Sequence, residues 1–397
     1  MKSALAIAFL VSASFVAGGP IRSSSRQCGT RISKGKMIAA EKQFQALKES
    51  RLTMKAAAGA DDSTPGPINV YFHVINKNET GTRDDGLIED DIIEKQMKVL
   101  NEGYEQSGIS FKLQNTSRVH NPEWFSSASP DSAYQTDMKK QLRQGGPGDL
   151  NVYLVGFEKG DAEGLLGYAT FPSDYEGAPE DDGVVVLHSS LPEGSTAKFN
   201  EGKTLTHEVG HWAGLYHTFQ GGCSKDGDQV ADTAPQGRPT SGCPRDNAPD
   251  TCPGDKLTDP IHNFMDYSDD ECLTEFTPGQ KKRMYDQMRV FRKINYPELP
   301  EVGAPETPAE PETPTEPETP TEPETPAEPE TPTEPTTPTE STTPTEPTTP
   351  TESTTPTESG TPTEPETPTE SEAPSEPETS AEPETPEEPE FEFPWEF

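Results

Sequence analysis

After the first sixteen residues, no stretch of this chain is long and apolar enough to span a bilayer, which reads against an integral membrane protein. Lysine, arginine and aspartate are missing from residues 301–397, where 28 glutamates stand. The formal net charge of −38 therefore belongs mostly to that tail, since the first 300 residues carry 42 acidic and 32 basic side chains. No basic stripe offers phosphate contacts, so nucleic acid is not an expected partner. Nor does the charge distribution call for a basic one. Histidine is scarce, with seven in 397 residues, and cysteine scarcer, with five. No Ser/His/Asp constellation is visible, so nothing points to a covalent acyl intermediate.

The N-terminus reads as a secretory signal over 1–18. Lys2 supplies the charge, residues 4–16 a short apolar run, and Val16-Ala17-Gly18 a small-residue cleavage site. The expected location is therefore secreted and extracellular. Cys223, Cys243, Cys252 and Cys272 form an even cluster that reads as two disulfides in an exported chain, with three connectivities open. Asn78 and Asn115 open N-glycosylation sequons.

Residues 19–66 are basic and Ser/Ala-rich, with a helical stretch over 39–51, and read as a pro-segment. Residues 67–296 are enough for one sizeable core. From 297 to 397 the chain is Pro/Thr/Glu-rich low complexity, expected to be disordered and extended in polyproline II. An O-glycosylated stalk and an inert solubilising extension both fit it. Its aromatic end lacks the long apolar run of a GPI signal.

Within 67–296, apolar runs at 68–75, 109–113, 150–155, 166–171 and 183–188 predict strands. Helical spacing predicts helices over 90–104 and 131–143, with Asp131 near the second N-cap. A further helix starts near Lys203 and a closing one covers 278–293. Strands alternating with helices imply an α/β sheet.

The chemistry concentrates in residues 207–217, where His207-Glu208-Val209-Gly210-His211 is followed by Gly214 and His217. His207 and His211, four apart, project from one face of a helix. Gly214 permits a sharp turn through positive φ, which brings His217 back as a third ligand. Three protein ligands with one open position make a catalytic rather than a structural zinc site, one ion per chain. Glu208 is placed to act as general base and then acid.

This H-E-x-x-H-x-x-G-x-x-H string resembles the signature of the metzincin metalloproteases. Asn263-Phe264-Met265-Asp266-Tyr267 is similar to their Met-turn, which implies that Met265 lies beneath the histidines and that Tyr267 can reach the metal or the reacting carbonyl. The further spacing through Gly221-Gly222-Cys223, Asp232-Thr233 and Cys252-Pro253 resembles the pappalysin family, in particular its secreted fungal extracellular metalloproteases. The resemblance covers roughly 67–296. It implies an α/β (α+β) fold: a twisted five-stranded mixed sheet with helices, the zinc helix at a cleft, and an irregular, disulfide-bonded lower subdomain. It also implies the pairings Cys223–Cys252 and Cys243–Cys272, and endopeptidase activity on protein or peptide substrates, in some members next to basic residues. Of the neighbouring acids Asp269, Asp270 and Glu271, Glu271 is the one expected to line an acidic specificity pocket, although a solvated acidic turn would look the same. Family members also bind calcium after the third histidine. Asp226, Asp228, Asp232 and Thr233 offer suitable oxygens but match no strict motif, and a plain acidic loop accounts for them equally well. Cys28, in Arg26-Gln27-Cys28-Gly29-Thr30, resembles a cysteine switch; a mixed disulfide on a free arm is its alternative.

Two other functions compete: a non-catalytic surface binding protein on a glycosylated stalk, and a zinc hydrolase of small peptides. A binding module has no need of Glu208. No insertion is visible that would close the cleft.

Overall fold

The computed structural model describes residues 25–58, 65–224, 227–254 and 257–304. The expected signal segment, Asp226 and the tail from 305 lie outside them. In chain order the elements are α1 (Lys34–Ala58), β1 (Ile68–Asn76), α2 (Asp90–Tyr104), β2 (Phe111–His120), α3 (Pro122–Ser127), α4 (Ala133–Leu142), β3 (Leu150–Val155), β4 (Gly167–Ala169), β5 (Val184–Leu187), α5 (Lys203–Trp212) and α6 (Pro278–Gln287). A π turn, Met288–Arg292, continues α6.

The strands form one sheet in the order β2-β1-β3-β5-β4. The first four are parallel, and β4 runs antiparallel to β5 at one edge. Because successive side chains alternate across a sheet, each central strand feeds two cores. Val152, Leu154, Val184 and Val186 face a core shared with α2, α5 and α6. Tyr153, Val155, Val185 and Leu187 face a second core with Trp124, Phe125 and Met138 of α3 and α4. Burial on both faces explains why β5 reads as a continuous apolar run and β3 as one broken only by the buried Asn151.

The bounds of two expected elements, β2 and the closing helix, are corrected. β2 extends well past 113, because it is an edge strand whose outer half carries polar, exposed residues and no apolar signal. The N-cap of α4 is Ser132, whose side chain accepts from Gln135 N. Asp131, expected near this cap, directly precedes it at φ 60°. The closing helix changes pitch at Met288 and stops where Lys293 turns left-handed at φ 59°. α3 had no periodic signal because it is a single capped turn: Asn121 accepts from Trp124 N and Pro122 opens the helix.

From α5 to α6 the chain is mostly irregular and is pinned by two interleaved disulfides, Cys223–Cys252 and Cys243–Cys272, each spanning 29 positions. Loop closure over that separation contributes about 3–4 kcal/mol per bridge in the chain-entropy account. Buried polar side chains do the rest. Asn263 and Gln280 exchange two amide hydrogen bonds, of 2.7 and 3.0 Å.

Candidate metal centre

α5 is buried from Thr204 to Trp212, packed against α2, β4 and β5. Its C-terminal end is fixed by a buried triad in which Arg292 Nη1 lies 2.7 Å from Asp182 Oδ1 and Trp212 Nε1 donates to Asp182 Oδ2. Past the helix, Gly214 takes φ 103°, and Leu215 N returns to Gly210 O at 2.9 Å. That turn carries His217 back against the helix.

The ring orientations are set by backbone carbonyls. His207 Nδ1 lies 2.6 Å from Phe264 O, and His211 Nδ1 lies 2.8 Å from Leu215 O. A carbonyl only accepts, so both Nδ1 atoms carry the hydrogen and both Nε2 atoms present lone pairs. His207 Nε2 is buried with no hydrogen-bond partner. The Nε2 atoms of His211 and His217 are 3.1 Å apart. Burial lowers the pKa of all three imidazoles, to about 4 for His211, so they are neutral at ordinary pH. Converging lone pairs in a dry pocket are unfavourable until a cation sits among them. Cys28 Sγ completes the set, 3.6 Å from His211 Nε2, and the four donor atoms lie within 4.8 Å of one another. Three nitrogens and one sulfur at this spacing suit tetrahedral zinc.

Glu208 is buried beside this set, its Oε2 3.4 Å from Cys28 Sγ and 3.2 Å from Thr30 Oγ1. Burial pushes its carboxyl up to about 8. Burial, reinforced by Glu208, also raises the Cys28 thiol well above its ordinary value. Tyr267 flanks the histidines, its ring centroid 5.0 Å from that of His217 and 5.9 Å from that of His207. Met265 is fully buried, and a Cβ added at Gly210 would fall well inside contact distance of its Sδ. Gly210→Ala should therefore destabilise by about 1–3 kcal/mol through overpacking. An unchanged midpoint in denaturant would mean that Met265 is not rigidly seated under α5.

The N-terminal segment reaches the centre as an added strand. Gly29 N donates to Gly167 O and Leu166 N to Gln27 O, both at 2.8 Å, so Cys28 lies parallel to β4. In an extended segment Arg26 and Cys28 share a face. Arg26 enters a buried pocket at the N-terminal end of α5, where Nη2 meets Asp270 Oδ1 at 2.6 Å and Nη1 meets Thr204 Oγ1 at 3.2 Å.

This corrects the expectation for Glu271. Its side chain is 62% exposed and lies 3.9 Å from Arg245, whereas that of Asp270 is fully buried. Residues 270–272 form a 3₁₀ turn, in which consecutive side chains diverge by a third of a turn, so Asp270 and Cys272 point inward and Glu271 outward. Of the four calcium candidates, Asp226 lies outside the described residues. Asp232 accepts from Thr277 Oγ1 and Gly279 N at the start of α6, so both its oxygens are engaged. Asp228 is buried, which pushes its carboxyl up to about 7, and the neighbouring Thr233 side chain opposes that rise. Among the described residues, the four-donor set at α5 is the only group of three or more metal-ligating side chains. Asn78 and Asn115 are both exposed.

Sequence reasoning gave Arg26 and Thr30 no role, and among the three neighbouring acids it favoured Glu271 over Asp270. Arg26 had one usable signal, its two-residue spacing from Cys28 on an extended arm.

A profile of the peptidase family described as Pregnancy-associated plasma protein-A matches residues 148–289. Extracellular metalloprotease 1 of Coccidioides posadasii is 42% identical over 297 residues, covering 74% of this chain and 99% of that relative. The chain belongs to the pappalysin family of metzincins. An extracellular metalloprotease of Arthroderma gypseum is 46% identical over 243 residues, 60% of this pappalysin and 78% of the relative. A solved promirolysin mutant from Tannerella forsythia is similar at 27% identity and a TM-score of 0.52, covering 68% of this chain and 97% of that one. This pappalysin is accordingly a metalloendopeptidase of the type that uses zinc, with proteins or peptides as substrates.

Proposed function

We propose that the chain is the secreted zymogen of a zinc endopeptidase that cleaves before basic residues. The convergence of lone-pair Nε2 atoms beside a buried carboxylate carries this reading. His207, His211 and His217 hold the metal, with Cys28 as fourth ligand while the arm is in place. Zinc bound there supplies polarisation of the scissile carbonyl and a lowered pKa for water. Glu208 accepts the proton of the attacking water and returns it to the departing amine. Tyr267, flanking two of the ligands, is positioned to donate a hydrogen bond as charge develops on the carbonyl oxygen. The extracellular names of the relatives and the N-terminal signal support secretion. Digestion of a peptide library by the activated protein, with and without chelator, tests the activity. Undiminished cleavage after exhaustive metal removal would overturn it.

The occupied pocket supports the specificity. Asp270 binds an arginine in a dry site beside the metal, where a charge-assisted pair is strong. Residues 25–30 pair with β4 with Arg26 before Cys28, so the segment runs opposite to a substrate whose basic P1′ side chain would take the place of Arg26 in this pocket. Asp270→Asn should cut kcat/KM for Arg peptides by about 10–100-fold and leave apolar P1′ peptides nearly unaffected. A retained preference for Arg, mapped by mass spectrometry of cleavage sites, would remove Asp270 from this role.

A further inference from the structure

A second basic group meets the N-terminal segment at the other end of α5. Arg283, on α6, lies beside the Gly214 turn and is only 7% exposed at its side chain. Its Nη1 and Nη2 fork onto the two oxygens of Glu41 on α1, at 3.1 and 2.5 Å, and Tyr216 Oη donates to the same carboxylate at 2.9 Å. Nε is spent on Gly214 O, at 2.9 Å. Tyr216 lies within the metal-binding motif, and its ring and that of His211 both pack on Phe171, at centroid distances of 5.3 and 5.6 Å. The pocket therefore adjoins the centre. Asp270 is reached by a residue before Cys28 and Arg283 by a residue after it, so the two sites flank the metal along the path of the chain.

Removal of the segment affects its contacts unequally. Lys48 bonds Asp286, but Asp286 keeps Lys282 and Arg289 when α1 leaves. Arg283 keeps no hydrogen-bonded carboxylate among the described residues. Asp228 is near enough to favour its charge, yet Asp228 Oδ1 takes Val230 N. Part of what covers Arg283 is α1 itself, with Phe44 against its guanidinium, so loss of the segment opens the fork, still held by Nε on Gly214 O, to an incoming carboxylate. Met37, Glu41 and Phe44 share one face of α1, so an acid flanked by apolar side chains fits the vacated ground.

We propose that Arg283 and Tyr216 form a carboxylate-binding subsite of the activated enzyme, which selects substrates with Glu or Asp several residues before the scissile bond. Glu41 fills it in the zymogen. This rests on the reading of residues 25–58 as a removable pro-segment, with Asp270 on the primed side. In the test, the secreted full chain is activated, its mass shows whether residues 34–58 are gone, and peptides carrying Glu or Gln at each position from P2 to P6 are compared. One position should favour Glu by about 10–100-fold in kcat/KM, mainly through KM. Arg283→Gln should bring that ratio close to one, and Tyr216→Phe should reduce it. An arm that does not depend on folding of the variants uses wild-type enzyme with a synthetic 34–58 peptide, which should inhibit at least ten-fold better than its Glu41→Gln version. Equal turnover of Glu and Gln peptides at every position, or equal inhibition by the two helices, overturns the subsite alone. An active enzyme that retains residues 34–58 overturns the pro-segment reading and the subsite with it.

Discussion

Glu208→Gln should lower kcat/KM by about 10²–10⁴-fold while the protein keeps one equivalent of zinc, since a positioned general base is worth that much. The substitution preserves shape where shape is constrained. A Cβ added to Gly167 would meet the Glu208 side chain, so the carboxylate lies flat against β4 with no spare room. Glutamine fits the same space but cannot accept a proton at neutral pH. The histidines are untouched, and His207 and His211 stay oriented by Phe264 O and Leu215 O. Zinc content by emission spectroscopy and turnover of one fluorogenic peptide decide the matter together. Full activity in this variant would remove Glu208 from the mechanism; loss of zinc would make it a structural residue.

The second large effect concerns latency. Unprocessed chain should be nearly inactive, and Cys28→Ala should make it measurably active without cleavage. The gain should be larger in Arg26→Ala/Cys28→Ala, because Cys28 is one of several anchors. Breaking the buried Arg26–Asp270 pair leaves a carboxylate without its cation in the closed state, at about 3–5 kcal/mol, which corresponds to roughly 10²–10⁴-fold in the closed-to-open ratio. Glu41 on Arg283 and Thr30 on Glu208 still hold the arm in the single variant. Activity should therefore rise stepwise, measured on full-length protein of verified mass. Equal activity of wild-type full chain and processed enzyme would refute the switch.

Much of this protein is legible in its sequence because the relevant constraints are local. The spacing of His207, His211 and His217 with Gly214 between them is enforced by one helix and one turn, so the metal ligands can be read without neighbours. β1, β3 and β5 are legible for a related reason: burial on both faces writes a mainly apolar run, interrupted in β1 and β3 only by polar residues that are partnered inside. The polar half of β2 and the single turn of α3 left no such trace. What the sequence could not fix is which acid faces a cavity. Asp269, Asp270 and Glu271 are alike as residues, and only the 3₁₀ turn, anchored by the Cys243–Cys272 bridge, decides that Asp270 points inward. The partners of Arg26 and Arg283 lie 244 and 242 positions away along the chain. Pairings that distant exist only once β4, α5 and α6 are packed, because the desolvation that makes them strong is a property of the assembled cleft and of no segment of the chain alone.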